Sequence, residues 1–124
     1  MAFNAFRHAK IAGVSVVVPR NEIRLEDELE YFGGSLKKVE RTKKLIGLAA
    51  RRVADAGVTA ADLCQQAAES LIDGMNVPRD SVDALIFISQ GPDHAIPATA
   101  CILQDKLGLA KTCAAFDVNQ GCTA

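Results

Sequence analysis

Two apolar runs separated by a helical pattern constrain the fold of this chain most strongly. Residues 82–89 (VDALIFIS) are almost continuously apolar, which is typical of a strand buried on both faces of a parallel sheet. Residues 114–118 (AAFDV) have the same character. Between the two runs, Pro97 suits the first turn of a helix that Gly108 closes. The inward face of this helix consists of Ala100, Leu103 and Leu107. The order predicts two parallel strands joined through a helix.

The earlier part of the chain continues the alternation of strands and helices. Residues 11–18 (IAGVSVVV) form a β-branched run that predicts a buried strand, and residues 22–30 show helical spacing that ends at Gly33 and Gly34. A further helix is expected to start at Thr59 and to end at Gly74. Its predicted inward face is Cys64, Ala68, Leu71, Ile72 and Met75. Together these elements predict an α/β layered fold with a mostly parallel sheet covered by helices.

Bulk composition excludes several classes of function. The 124 residues carry a net charge of −1 and only 5% aromatic residues, which argues against a nucleic-acid-binding protein. The apolar runs are too short to span a membrane, and the start of the chain lacks the pattern of a secretory signal. The four cysteines show neither a CxxC pair nor zinc-ligand spacing to a histidine, so no metal site is expected. We expect a cytoplasmic protein with reduced thiols.

Residues 37–52 form a basic segment. They contain seven Lys or Arg residues against a single acidic residue, Glu40. A solvated surface is one interpretation, because runs of charge usually face water. The other is a binding surface for phosphate groups or for an acidic partner protein.

Cys122 stands out among the cysteines because it follows a predicted strand and a turn, Asn119-Gln120-Gly121. Ligands of open α/β sheets gather at the carboxyl ends of the strands, and a thiolate at the start of a helix is stabilised by the helix dipole. From spacing alone, a nucleophile and a packing residue remain equally open. Cys64 and Cys101 are expected to be packing residues, and Cys113 precedes a strand.

Two other polar residues lie near this segment. A Cys–His pair would activate a thiol, but His94 is more simply interpreted as a polar loop residue. Asp117 is expected to stabilise the local turn through its carboxylate rather than to act as an acid or a base.

Residues 116–122 (FDVNQGC) resemble the nucleophile segment of the β-ketoacyl-[acyl carrier protein] synthase III family, whose usual form is close to FDVNAAC. The strand at 83–89, the segment 94–100 (HAIPATA) and the following 103–108 are similar to the family's strand, loop and helix ahead of the nucleophile. Arg41-Thr42 and residues 51–54 (RRVA) resemble an earlier block. The resemblance covers most of the chain, from about Ile11 to Ala124.

This resemblance implies a thiolase-like fold of two similar halves, with residues 1–124 forming an incomplete N-terminal half that ends at the start of the nucleophile helix. It implies that Cys122 accepts an acyl group from a thioester, and that the acyl-enzyme condenses with malonyl-acyl carrier protein, with loss of carbon dioxide, in fatty acid or polyketide-type synthesis. The catalytic His and Asn of the family lie in the second half, outside this chain. The complete enzyme is expected to be a homodimer in which Ile96 helps to close the partner's acyl pocket.

The resemblance also concerns the acyl donor. Arg41 matches a coenzyme A-binding arginine of the family, and Lys37 stands where the family often has a Trp that stacks on adenine. Because this chain has no Trp, a carrier-protein donor is more attractive than coenzyme A. Gln120 and Gly121 replace two alanines and are expected to alter the pocket wall. No tightly bound cofactor is expected.

Two alternatives remain beside the condensing enzyme. The same acyl-cysteine would serve an acyltransferase that transfers to an oxygen or nitrogen acceptor without decarboxylation. The second alternative is a non-catalytic partner or scaffold subunit that keeps the fold. Residues 37–52 would then be its docking surface for an acidic carrier protein.

Overall fold

The computed structural model of the chain describes residues 7–119, in which short strands and helices alternate. In chain order the elements are β1 (Asn21–Arg24), a 3₁₀ helix (Leu25–Phe32), α1 (Leu36–Ile46), β2 (Ala50–Val53), α2 (Ala60–Gly74), a short 3₁₀ helix (Arg79–Ser81), β3 (Ala84–Ile88), α3 (Thr99–Lys106) and β4 (Ala114–Val118). They belong to two compact units, Val18–Thr59 and Met1–Val17 with Ala60–Ala124. The predicted α/β class is confirmed.

The unit of residues 18–59 is built on an antiparallel strand pair. β1 and β2 run in register from Asn21 opposite Val53 to Arg24 opposite Ala50. The helical spacing predicted for residues 22–30 is therefore realised only from Leu25 onward, because the preceding residues form the ladder with β2. Gly33 ends the 3₁₀ helix in the left-handed conformation (φ 64°), as its position predicted. The predicted mostly parallel sheet does not extend to this pair.

Helix α1 is fixed at both ends by residues that commonly cap helices. The Ser35 hydroxyl accepts a hydrogen bond from the Lys38 N–H, and Gly47 adopts a left-handed conformation (φ 69°) after the last turn. Val39 is fully buried and, with Leu25, supplies the buried apolar side chains of this unit. The charged residues of α1 consequently lie outside a very small core.

The second unit contains the predicted strand–helix–strand motif. β3 and β4 are parallel, from Ala84 opposite Ala114 to Ile88 opposite Val118, and α3 crosses between them. The predicted inward face of α3 is confirmed, and Gly108 closes it with φ 64°. The buried core residues of this unit are Ala61, Phe87, Ala100, Leu103, Leu107, Leu109 and Cys113. Both apolar runs therefore fold as parallel strands, as predicted.

One prediction about this sheet is wrong within the described part of the chain. Residues 82–89 were expected to be buried on both faces, yet only the face that carries Phe87 is covered. On the other face Ile86 and Ile88 are exposed, as is Phe116 on β4. Strand side chains alternate between the faces, so the uncovered side chains form one apolar surface.

Residues 11–18 also differ from the prediction. They form no strand in the structure, and Ile11, Val14, Val16 and Val18 are exposed rather than buried. Their β-branched composition suits a strand, but no strand within residues 7–119 pairs with them. The segment lies against α2 at Gly13, where a Cβ would come within 2.5 Å of the Met75 sulfur and 2.9 Å of a Leu71 methyl carbon.

Helix α2 ends at Gly74 as expected, but the left-handed residue that follows it lies two positions further along the chain. Gly74 is its last residue, and the left-handed position is Asn76 (φ 52°). The Val77 N–H bonds to the Ile72 carbonyl and the Asn76 N–H bonds to the Asp73 carbonyl, which is the Schellman pattern. Asn tolerates this conformation better than other residues with a Cβ, so it takes the role that the sequence suggested for Gly74.

Candidate functional site

The parallel β3–β4 pair defines the edge at which a site is expected. Ile88 and Val118 are in register at the carboxyl ends of the two strands, and the Ser89 N–H bonds to the Val118 carbonyl at 3.2 Å. The loop of residues 89–98 and the chain that leads to Cys122 therefore leave the sheet at the same edge. Binding sites of open α/β sheets form at this edge.

Cys122 itself, with Gln120 and Gly121, lies outside the described residues. Its assignment as a nucleophile stays a prediction. The structure describes the elements that lead to it: β4 ends at Val118, four residues earlier in the sequence, and Asn119 follows. The predicted strand before the cysteine is thus confirmed.

Asp117 links the two segments at this edge. Its Oδ2 accepts the Thr99 N–H and its Oδ1 accepts the Ala100 N–H, both at 2.8 Å. These are the first backbone donors of α3, which otherwise have no partner inside the helix. The negative charge also suits the positive end of the helix dipole. The carboxylate is structural, as expected, but the group it stabilises is the start of α3.

Sequence reasoning missed this link. The available signal is the single carboxylate in an otherwise apolar strand, AAFDV. A buried or half-buried charge in such a run requires hydrogen-bond partners. The backbone N–H groups at the start of a helix, which have no acceptor inside the helix, are common partners of a carboxylate. The helix that supplies the partners begins 18 residues earlier, so local spacing does not identify it.

The loop of residues 89–98 carries the other predicted residues of this edge. Ile96 is 89% exposed, and His94 is exposed as well. Ser89 shapes the start of the loop, because its hydroxyl donates to the Gly91 carbonyl and accepts the Gly91 N–H. An exposed isoleucine beside the sheet edge is available for contact with another surface.

The other cysteines differ in environment. Cys113 is buried in the core, directly before β4. Cys64 and Cys101 are exposed, so the expectation that they pack in the core is wrong for both. Cys101 lies beside the inward face of α3, and Cys64 is exposed although Ala68, four residues further along the same face of α2, packs against the core. Partial burial, with a smaller effect of the Asp93 carboxylate, raises the pKa of the Cys64 thiol. A raised pKa makes Cys64 a poor nucleophile.

A second candidate surface lies in the unit of residues 18–59, on α1. Lys37 and Arg41 are four residues apart and share a face of the helix. They line a groove of about 610 Å³ together with Ser35, Lys38, Glu40 and Lys44. Four cations against one carboxylate give this groove, here called the α1 groove, a strong positive character.

Ion pairs divide the basic segment into two parts. Lys43 pairs with Glu26, Arg51 binds Glu28 through two bonds of 2.5 and 2.6 Å, and Arg52 pairs with Glu22 at 3.1 Å. Among residues 7–119, no carboxylate pairs with the four cations of the α1 groove. The paired cations serve the local fold, and the unpaired ones remain available for an anion.

The described residues give little support to a metal or membrane site. Within residues 7–119, no three His, Cys, Asp or Glu side chains approach closely enough to hold an ion. None of the helices in that range has the length and apolar character needed to cross a membrane.

Known proteins resemble the chain in both sequence and fold. A curated Campylobacter jejuni relative, provisionally named a 3-oxoacyl-[acyl-carrier-protein] synthase 3, is 42% identical over 94% of this chain and 33% of its own length. A β-ketoacyl-[acyl-carrier-protein] synthase III of Methylococcus capsulatus is 32% identical over 94% of the chain and 35% of its own length. The crystal structure of a 3-oxoacyl-(acyl-carrier protein) synthase from Burkholderia xenovorans matches 90% of the chain with a TM-score of 0.81 and 41% identity.

Each match covers only part of the known protein. The chain spans about a third of the curated relatives that it matches, and 32% of the Burkholderia structure. No family model matches the chain. The Campylobacter and Burkholderia proteins nevertheless align with 94% and 90% of this chain, at 42% and 41% identity. The likeness is therefore one of sequence as well as of fold. Over a stretch equal to about a third of its relatives, the chain is therefore similar in sequence to the β-ketoacyl-[acyl-carrier-protein] synthase III proteins and has part of their thiolase-like α/β fold.

Proposed function

We propose that this chain supplies the acyl-accepting segment of a condensing enzyme of the synthase III type, with Cys122 as the nucleophile. The observation that carries the proposal is the parallel β3–α3–β4 unit, whose last strand leads within four residues to Cys122. In an α/β protein this is the edge at which a reactive side chain meets its substrate. The homologous relatives are named as synthases, which supports the same reaction class.

The proposed reaction has two steps. The Cys122 thiolate attacks the carbonyl carbon of an acyl thioester and forms a new sulfur–carbon bond, while the bond from that carbon to the carrier sulfur breaks and the carrier leaves as a thiolate. In the second step a malonyl thioester loses carbon dioxide, and the electron pair released attacks the acyl carbon and expels the Cys122 thiolate. The histidine and asparagine that the resemblance implies for this step lie outside the chain, and His94 is not assigned to it.

We propose the α1 groove as the surface that receives the acyl donor. Lys37 and Arg41 line it, and its unpaired cations suit a phosphate group. A phosphopantetheine on an acidic acyl carrier protein presents such a group together with a negative protein surface. The lysine at position 37 offers no ring for adenine to stack on, which favours the carrier protein over coenzyme A as donor.

The complete enzyme is proposed to contain more than this chain. The relatives are about three times as long. We propose that residues 1–124 are an incomplete N-terminal half of the thiolase-like fold. We propose a homodimeric cytoplasmic enzyme in which the exposed Ile96 contacts the partner's acyl pocket. The segment that completes the fold is expected to cover the exposed face of β3 and β4.

The chemistry is tested on the protein as purified, with any polypeptide that accompanies it. The intact mass is recorded first, and the protein is then incubated with an acyl-carrier-protein thioester and digested for mass spectrometry. The acyl group is expected on Cys122 in the wild type and absent from Cys122→Ala. Cys101→Ala is the matched control, because it removes an exposed thiol of the same unit and is expected to keep the adduct.

The same experiment separates the alternatives. Release of carbon dioxide from a malonyl donor supports condensation, and acyl transfer to an oxygen or nitrogen acceptor without that release indicates a non-decarboxylating acyltransferase. Turnover that is unchanged in Cys122→Ala would indicate a scaffold role for the chain. Acyl label that is found only on other residues would refute the nucleophile assignment.

A further inference from the structure

Asp117 occupies an unusual position between the two segments of the candidate site. Both of its carboxylate oxygens accept backbone N–H groups, from Thr99 and Ala100, at 2.8 Å. The two donors are on adjacent residues, and each binds a different oxygen of the same carboxylate. An asparagine would offer a single oxygen and would direct an NH₂ group at the second donor. The interaction therefore depends on the carboxylate as a whole.

The bonds join the parts of the chain that carry the proposed site residues. Ile96 lies three residues before Thr99, and Cys122 lies five residues after Asp117. Thr99 and Ala100 are fully buried at the start of α3, which packs on β3 and β4. The Asp117 bonds thus hold the start of α3, which follows the Ile96 loop, against the end of β4, the strand that precedes Cys122 in the sequence.

We propose that Asp117 is a positioning residue for acyl transfer to Cys122, because it holds the start of α3, and with it the end of the loop of residues 89–98, against β4. The inference rests on the proposed function of Cys122. Acyl transfer requires the thiolate and the bound acyl chain in one geometry, whereas alkylation by a small reagent does not. A displacement of about 1 Å at a reacting atom lowers a rate by about a hundredfold. Loss of the Asp117 bonds is therefore expected to slow acylation far more than alkylation.

The first test uses Asp117→Asn in the protein as purified. Acylation of Cys122 by the carrier thioester is expected to fall about tenfold or more, while alkylation of Cys122 by iodoacetamide changes little. Cys113 is 6% exposed and reports folding in the same sample, because it stays protected from alkylation while the core is intact. Asp117→Glu keeps both oxygens and is expected to recover part of the rate. Asp83→Asn is the control for the loss of one negative charge before β3, and no change is expected.

A second variant removes the interaction from the other partner. Thr99 is the first residue of α3, where proline is well tolerated, and Ala98 before it has φ −56° and ψ 139°, which suits a following proline. Thr99→Pro deletes one of the two donors without a change of charge. Its acylation rate is expected to fall less than that of Asp117→Asn, and the double variant is expected to be no slower than Asp117→Asn alone.

The outcomes separate the inference from the function on which it rests. A wild-type protein that never carries the acyl group on Cys122 refutes the proposed function and the inference with it. Normal acylation of the wild type, with Asp117→Asn and Thr99→Pro within about twofold of it, overturns the positioning role alone. A loss of acylation that appears only together with exposure of Cys113, in both variants, also overturns it, since the residue would then act through stability.

Discussion

Ile86 and Phe116 lie opposite each other in the parallel β3–β4 pair, on the face that no described element covers. Ile86 is 50% exposed and Phe116 is 46% exposed. Ile88, two residues further along β3, extends the same apolar surface and is 61% exposed. A contiguous apolar surface on a sheet is characteristic of an interface with another segment or another molecule.

The 124-residue chain on its own is therefore expected to self-associate through this surface. Phe116→Thr introduces a β-branched residue, which suits a strand, and removes an aromatic side chain whose burial is worth about 1.5–3 kcal/mol, so it is expected to weaken association about tenfold. Sedimentation or light scattering across a concentration series measures the effect. Phe87→Ala, on the covered face, is the contrast: it is expected to lower stability by about 3–5 kcal/mol without relieving association. A wild-type chain that is monomeric and melts cooperatively contradicts the prediction.

The sequence predicts the β3–α3–β4 unit well because its signals are local. Continuous apolar runs and a closing glycine each act within a few residues of their positions. Pro97 was expected in the first turn of the helix, but α3 begins at Thr99 and Pro97 lies just before it. The run at 11–18 has an equally strong strand signal, but whether a strand forms depends on a neighbour that the run does not specify. Cys64 and Cys101 lie on helices with apolar faces, yet the sequence of a helix alone does not determine which of its side chains the neighbouring elements cover. The backbone N–H groups that bind Asp117 likewise cannot be identified from local patterns, since the contact depends on tertiary geometry.

Thr99 provides a test of packing at the start of α3. Its side chain is fully buried, and among residues 7–119 its hydroxyl oxygen has no hydrogen-bond partner. Thr99→Val keeps the shape and removes the unpaired polar atom, so stability is expected to stay equal or to rise by about 1 kcal/mol. Thermal and chemical denaturation measure the change. Thr112→Val is the control at an exposed position, where the expected change is within about 0.5 kcal/mol. A marked loss of stability in Thr99→Val would mean that the hydroxyl has a partner after all.

The ion pair of Glu26 and Lys43 gives the unit of residues 18–59 a dependence on pH. The hydrogen bond from Lys43 lowers the pKa of Glu26, and the same bond raises the pKa of Lys43. The stabilisation is therefore present at neutral pH, is lost as the pH falls through the lowered pKa of Glu26, and is lost on the alkaline side as the pH rises through the raised pKa of Lys43.

Glu26→Gln is accordingly expected to open α1 more readily at neutral pH, and the difference from wild type is expected to vanish once the pH lies below the lowered pKa of Glu26, where the wild-type carboxyl is also protonated. Amide hydrogen exchange of α1 reports on this unit directly. Because both groups are largely hydrated, added salt is expected to shrink the difference. Glu30→Gln, an exposed glutamate of the same 3₁₀ helix, is the matched control. An effect of Glu26→Gln that is equally large in acid would contradict the assignment.

The α1 groove yields the last prediction, which concerns the acyl donor. Lys37 and Arg41 line the groove and have no ion-pair partner among the described residues, so their reversal changes the field at the surface without breaking a pair. Lys37→Glu and Arg41→Glu are each expected to slow association with an acidic carrier protein about tenfold at low ionic strength, because electrostatic steering raises association rates by about 10–10³.

Stopped-flow or surface-binding measurements over a salt series test this prediction, since the difference between variant and wild type is expected to narrow as salt screens the surface charges. Lys111→Glu makes the same change of charge on an exposed lysine of the other unit and is expected to leave association unaltered. Equal losses in all three variants would indicate an effect of net charge rather than of the groove. The proposal that an anion binds in the α1 groove rests on its four unpaired cations. Association that is unaffected by salt and by Arg41→Glu would therefore exclude the groove as the docking surface.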